Sequence, residues 1–250
     1  MRTLLTLLLL SLAGVAHAQS FANSMLFRAA AQKSRPEVPY YEFYSDVGVL
    51  NGSGSPASDG ETVGTLQDQS GNGRHLTQAT DANRPIYSST GALNGHNPVV
   101  FDGDSTTTLD VSGLSGFGVS TIFIVVAIAA TTPECTIYRL NSGGVNASPG
   151  LAAWTMRSTD SATPRIDSTV APTTAATVIA CVYNGASSSI QITDTAPVTG
   201  SISTHNPSAL SLQGSFSVGF NLYAKIAYAS AWNQTQITNE IARLKTRYGL

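Results

Sequence analysis

From Tyr40 onward the sequence is a succession of short apolar runs, each closed by turn chemistry, and this rhythm limits the fold more than any other feature. Tyr41, Phe43 and Tyr44 open a first strand, and Val49 to Glu61 reads as a Gly/Ser/Asp loop. Pro98 to Phe101 is a strand stopped by Asp102-Gly103-Asp104. Val119 to Ile128 is almost continuously apolar and rich in β-branched residues, as a strand covered on both faces would be. Further strands are expected at Thr136–Leu140, Leu151–Met156, Arg165–Val170 and Thr177–Tyr183. Asn184-Gly185 signals a hairpin with Ile190–Thr193 as the return strand. Leu210–Leu212, Phe216–Phe220 and Ala224–Trp232 complete the set. One helix breaks the pattern: Ile237, Ile241, Leu244 and Tyr248 share a helical face, with Thr235 as the expected N-cap, Lys245 and Arg247 in the last turn and Gly249 at the stop. The expected fold class is therefore all-β, a two-sheet antiparallel sandwich with a short C-terminal helix.

The N-terminus follows other rules. Arg2, the apolar run Leu4 to Val15 and the small-x-small triplet Ala16-His17-Ala18 make residues 1–18 a secretory signal. That run is too short to span a bilayer, and no later stretch is long enough. Residues 19–39 read as a leader or arm, stopped by Pro36 and Pro39, and 40–250 as one domain. The expected location is secreted, periplasmic or extracellular. Charged residues make up only 11% of the chain, and thirteen Lys plus Arg against fifteen acids offer no basic field for nucleic acid. Export permits a disulfide between Cys135 and Cys181, worth roughly 4 kcal/mol in the chain-entropy model. Two buried free thiols are the equal alternative.

The stretch LQDQSGNGRHLTQATDANRPIY, Leu66 to Tyr87, resembles the motif of laminin-G-like jelly-roll domains in the concanavalin A-like lectin/glucanase superfamily, as found in bacterial secreted proteins and phage virion proteins. LNGHNPVVFDGD (Leu93 to Asp104), the STIFIVVAI run and the C-terminal KIAYASAWNQTQITNEIARLKTRYGL resemble later pieces of that family in the same order. The resemblance implies a jelly-roll sandwich. Two departures stand out: Leu66 occupies a position where Trp is usual, and Lys225-Ile226-Ala227-Tyr228 replaces a stretch that usually opens with an acid, sometimes a calcium ligand. With that carboxylate missing, Asp68, Asp102 and Asp104 are left to form at most a weaker calcium site; otherwise no cofactor is expected. Read as residues, Asp68, Ser70, Gly71, Asn72 and Gly73 build a rigid turn, as do Asp102, Gly103 and Asp104.

Catalytic chemistry is scarce. A retaining glycosidase needs two carboxylates about 5 Å apart. The five Glu are Glu37, Glu42, Glu61, Glu134 and Glu240, and none sits two residues from an Asp in a strand. Glu42 and Asp46 share a strand face but stand two pleats apart. His75, His96 and His205 read as solvated loop residues, and no Ser/His/Asp, zinc or phosphate-loop motif is present. Sugars stack on aromatic rings, which makes Trp154, Tyr138, Tyr183 and Tyr223 the candidate platform. The expected function is an exported, non-catalytic, lectin-like module that binds glycans or mediates adhesion. The alternatives are a structural or interaction protein of a virion or extracellular assembly, and a glycan hydrolase or lyase. Expected partners are a glycan or an assembly protein, with no nucleic acid.

Overall fold

The structure, a computed structural model, describes residues 35–116, 118–131, 135–140, 143–148, 153–157, 164–202, 207–213 and 218–250. Pro39–Leu250 is one compact unit, separate from Met1–Val38. The expected signal segment, most of the leader, Glu134, Leu151, His205 and Phe216 lie outside the described residues.

Among the described residues the chain forms β1 (Tyr41–Tyr44), β2 (Val49–Asn51), β3 (Val63–Leu66), β4 (Leu76–Thr77), β5 (Ile86–Tyr87), β6 (Val99–Phe101), β7 (Thr108–Ser112), β8 (Ser120–Ile128) and β9 (Cys135–Leu140). There follow β10 (Gly143–Ser148), β11 (Ala153–Arg157), β12 (Arg165–Asp167), β13 (Thr177–Tyr183), β14 (Ser188–Ile192), β15 (Val198–Gly200), β16 (Ala209–Gln213) and β17 (Phe220–Tyr228), then helix α1 (Gln234–Tyr248). One sheet has the order β15-β14-β13-β8-β17-β6-β5, with β1 also pairing β17; the other runs β12-β11-β10-β9-β16-β7-β4-β3-β2. Every named pairing is antiparallel, and neighbours distant in sequence show the long crossovers of a jelly-roll sandwich.

The core lies between the sheets. Ile122, Ile124, Val126 and Ile128 of β8 and Ile179, Cys181 and Tyr183 of β13 meet Leu109, Ile137, Tyr138, Leu140, Trp154, Leu210 and Leu212 of the opposing sheet. β8 is buried on its other face too, where Phe123 packs on Tyr228 and Trp232. This explains its unbroken apolar run. The Asn184-Gly185 hairpin forms, joining β13 to β14 through a 3-10 turn at Gly185–Ser187.

Helix α1 closes the outer face of the sheet containing β17. Its buried residues are Ile237, Glu240, Ile241, Leu244 and Tyr248. The N-cap is Asn233, not Thr235: Asn233 accepts from the Gln236 N–H while the Gln236 side chain returns the bond, two residues earlier than the apolar spacing suggested. Gly249 adopts the left-handed stop at φ 68°. The expected loop Val49–Glu61 contains β2, whose three residues pair with β3. Of the expected strands Phe216–Phe220 and Ala224–Trp232, the described parts from Phe220 to Tyr228 form one strand, β17, carrying a bulge at Tyr223.

Candidate functional site: the open face of the nine-stranded sheet

The four aromatic residues expected to form a sugar platform are all inside the protein: Trp154 is 1% exposed, Tyr138 and Tyr183 0%, and Tyr223 2%. Tyr138 and Tyr183 join the two sheets across the core, with their hydroxyls 3.2 Å apart, and Tyr223 donates to the Gly91 carbonyl at 2.6 Å. They fill the interior instead of offering a ring face to solvent. Of the two alternatives for Cys135 and Cys181, the structure has the buried thiols, with no disulfide between them. Burial pushes the Cys181 thiol up to about 12, so it is an inert core group.

The turn motifs form as read. Asp68 accepts from the backbone N–H groups of Glu42, Ser70 and Arg74 and from the Ser70 hydroxyl, at 2.8–3.0 Å. Asn72 and Arg74 donate to the Pro39 and Tyr40 carbonyls, and the Arg74 guanidinium lies 3.8 Å over the Tyr40 ring. The motif thus fastens the start of β1. Asp102 and Asp104 cap their own loops, accepting from the N–H of Asp104 and Thr106. Gly103 has φ 91°, and a Cβ there would come within 2.6 Å of the Val218 carbonyl carbon, so only glycine fits. Among the described residues no three His, Cys, Asp or Glu side chains gather to hold a metal ion. The suggested set Asp68, Asp102 and Asp104 is therefore not brought together; Asp68 turns both oxygens toward the loop's own donors.

The acids considered for catalysis are tied into the docking of α1. Glu42 accepts from the Tyr44 hydroxyl, and Arg243 reaches that hydroxyl at 3.2 Å and Glu240 at 2.7 Å. Asp46 holds Arg247 at 2.8 Å and His96 Nδ1 at 2.6 Å, so His96 is a bonded structural residue and not a solvated one. Burial alone would raise the Asp46 carboxyl, but the His96 hydrogen bond and the Arg247 charge outweigh it and hold the group below its ordinary value.

A concavity lies on the opposite side of the sandwich. A cavity of about 660 Å³ lies on the outer face of the nine-stranded sheet, lined by His75, Thr77, Asp110, Ser112, Arg139 and Ser211 together with Val111, Ala209 and Leu210. Strand alternation builds it. Leu76, Leu109, Tyr138, Leu140, Leu210 and Leu212 face the core, so Thr77, Asp110, Arg139 and Ser211 between them face outward. Pairing then sets Thr77 opposite Asp110, Asp110 opposite Ser211 and Ser211 opposite Arg139. His75 joins from the turn motif, where its Nδ1 accepts the Asp68 N–H at 3.0 Å; its other ring nitrogen is therefore the one that carries a proton in the neutral ring. Gln78 donates to Thr108, which donates to Asp110 at 2.7 Å and orients that carboxylate. Asp110 accepts, Arg139 donates, and the hydroxyls do both. These are the functions needed to hold a ring rich in hydroxyl groups. Sequence reasoning missed the set because its members come from distant strands.

Solved structures share the sandwich. The binding domain of botulinum neurotoxin DC in complex with rat synaptotagmin II superimposes with a TM-score of 0.58 at 9% identity, covering 83% of this chain and 52% of that one. The botulinum neurotoxin type G receptor-binding domain gives 0.58 at 10%, with 83% and 52% covered. The DC binding domain in complex with SialylT gives 0.54 at 11%, with 72% and 48% covered. The chain spans about half the length of these proteins. At such identities the likeness is one of fold. No protein-family model matches the sequence, and no curated protein matches it.

Proposed function

We propose that the domain is an exported, non-catalytic, lectin-like glycan-binding module of concanavalin A-like type, and that the glycan lies in the groove of the nine-stranded sheet. The observation that carries this reading is the groove itself: a concavity of about 660 Å³ whose rim is Asp110, Arg139, Ser211 and Thr77, on the sheet face that α1 does not cover. The motif order from Leu66 to Leu250 supports the family, and Leu4–Val15 with Ala16-His17-Ala18 supports export. Asp110 is the one carboxylate among the described residues lining the groove, and Glu42, Asp46 and Glu240 are bound elsewhere; this supports binding over hydrolysis, which needs two acids. Solved neighbours described in complex with SialylT and with synaptotagmin support a glycan or protein partner. A glycan array probed with the purified chain should reveal binding, which Asp110→Ala and Arg139→Ala should each weaken by about tenfold, or ~1.4 kcal/mol, with no change in thermal midpoint. A blank array, or binding that both variants leave intact, would reject the reading.

A further inference from the structure

We infer that the ligand is an anionic polysaccharide lying across the strands, with its carboxylate or sulfate groups over Arg139, Arg157 and Arg165; this rests on the glycan-binding reading above. The groove residues belong to a longer line. Thr65 stands opposite Thr77, Thr77 opposite Asp110, Asp110 opposite Ser211, Ser211 opposite Arg139, Arg139 opposite Gly144, Gly144 opposite Arg157, and Arg157 opposite Arg165. One transverse row therefore crosses eight strands, from β3 to β12. Trp154, Met156 and Ile166 face the core, which turns Arg157 and Arg165 outward like Arg139.

Three features of the row select an anion. The chain has only thirteen Lys and Arg in all, so three on a single line is a concentration, not a background. Arg157 and Arg165 are directly opposed across a strand pair, which brings two guanidinium groups together on one face. Gly144 stands between Arg139 and Arg157 in the row. Strand spacing of about 4.8 Å puts Arg139 and Arg165 roughly 14 Å apart, a reach that suits consecutive charges on a polymer better than a single ion. Guanidinium forks match carboxylate and sulfate oxygens in pairs, while Asp110 at the other end takes hydroxyl donors. Asp167, 3.1 Å from Arg165, partly neutralises the far end.

The test is isothermal titration of the purified chain with a polyuronate, a sulfated dextran, unmodified dextran and duplex DNA, at low and at physiological salt. The inference expects a polyuronate or the sulfated polymer to bind about tenfold or more tighter than dextran, with affinity falling as salt rises. Arg157→Gln and Arg165→Gln should each erase most of that preference, and Asp167→Asn, which unmasks Arg165, should strengthen it. Equal binding of neutral and anionic polymers, or a preference indifferent to all three substitutions, overturns the inference and leaves the glycan reading standing. Equal binding of DNA and anionic glycan overturns it as well, because the row is then a general polyanion surface. No binding to any polysaccharide, charged or neutral, defeats the glycan reading itself.

Discussion

Asp68 and Lys225 mark opposite ends of what burial does to a charged side chain. Asp68, 7% exposed, accepts four hydrogen bonds from residues of its own loop and from Glu42 of β1. Removing it orphans three backbone N–H groups at once, so Asp68→Ala should lower stability on the order of 3 kcal/mol, read by urea denaturation. Lys225 has no such company. The bulge at Tyr223 shifts the alternation of β17 and turns Lys225 into the core, where Nζ sits 3.1 Å from the centre of the Tyr138 ring and has no hydrogen-bond partner among the described residues. Burial holds its amine well below the ordinary value of 10.5. The unfolded chain therefore binds more protons between the lowered folded value and 10.5, and stability rises with pH through that window. Lys225→Met should stabilise the protein by roughly 1–3 kcal/mol at neutral pH and flatten its stability profile on the alkaline side, both measurable by chemical denaturation across pH.

At the scale of elements, α1 is fastened to its sheet as much by ions as by its apolar face. Asp46 lies at the loop after β1, 18% exposed, and bonds Arg247 of the last helical turn and His96. Because its folded value lies below the ordinary 3.8, the stability it contributes is complete above that pH and is lost as pH falls through the folded value. Asp46→Asn should cost roughly 2 kcal/mol at pH 7 and progressively less as the pH falls below 3.8, a trend that thermal melts across that range would expose; an equal loss throughout would refute the linkage. The elements also show what the sequence could and could not reveal. The β8 run, the Asn184-Gly185 hairpin and the amphipathic α1 were legible because their signals are local. The bulges were not. The extra residue at Ile137 lets both Ile137 and Tyr138 face the core, and the one at Tyr223 reverses the strand beyond it. A reader counting strict alternation assigns Tyr138 to solvent and misses Lys225 in the core. The groove was hidden for a related reason: Thr77, Asp110, Arg139 and Ser211 are each an unremarkable polar residue between apolar neighbours, and only cross-strand register makes them one surface.

For the whole molecule, the sandwich divides its labour by face. One outer face is closed by α1 and its ionic fastenings, the interior is filled by the aromatics, and the other outer face carries the polar row. The turn motif at Asp68–His75 links these layers, since it anchors β1 through Tyr40 and Glu42 on one side and delivers His75 to the groove on the other. β1 itself lies along β17, matching Tyr41–Tyr44 with residues 227–224. A ribosome releases the domain's opening segment about 180 residues before its partner exists, so the sandwich cannot be completed one hairpin at a time as the chain emerges. Its first strand, already bonded to the Asp68 turn, waits for its neighbour in the sheet until the last strand is made.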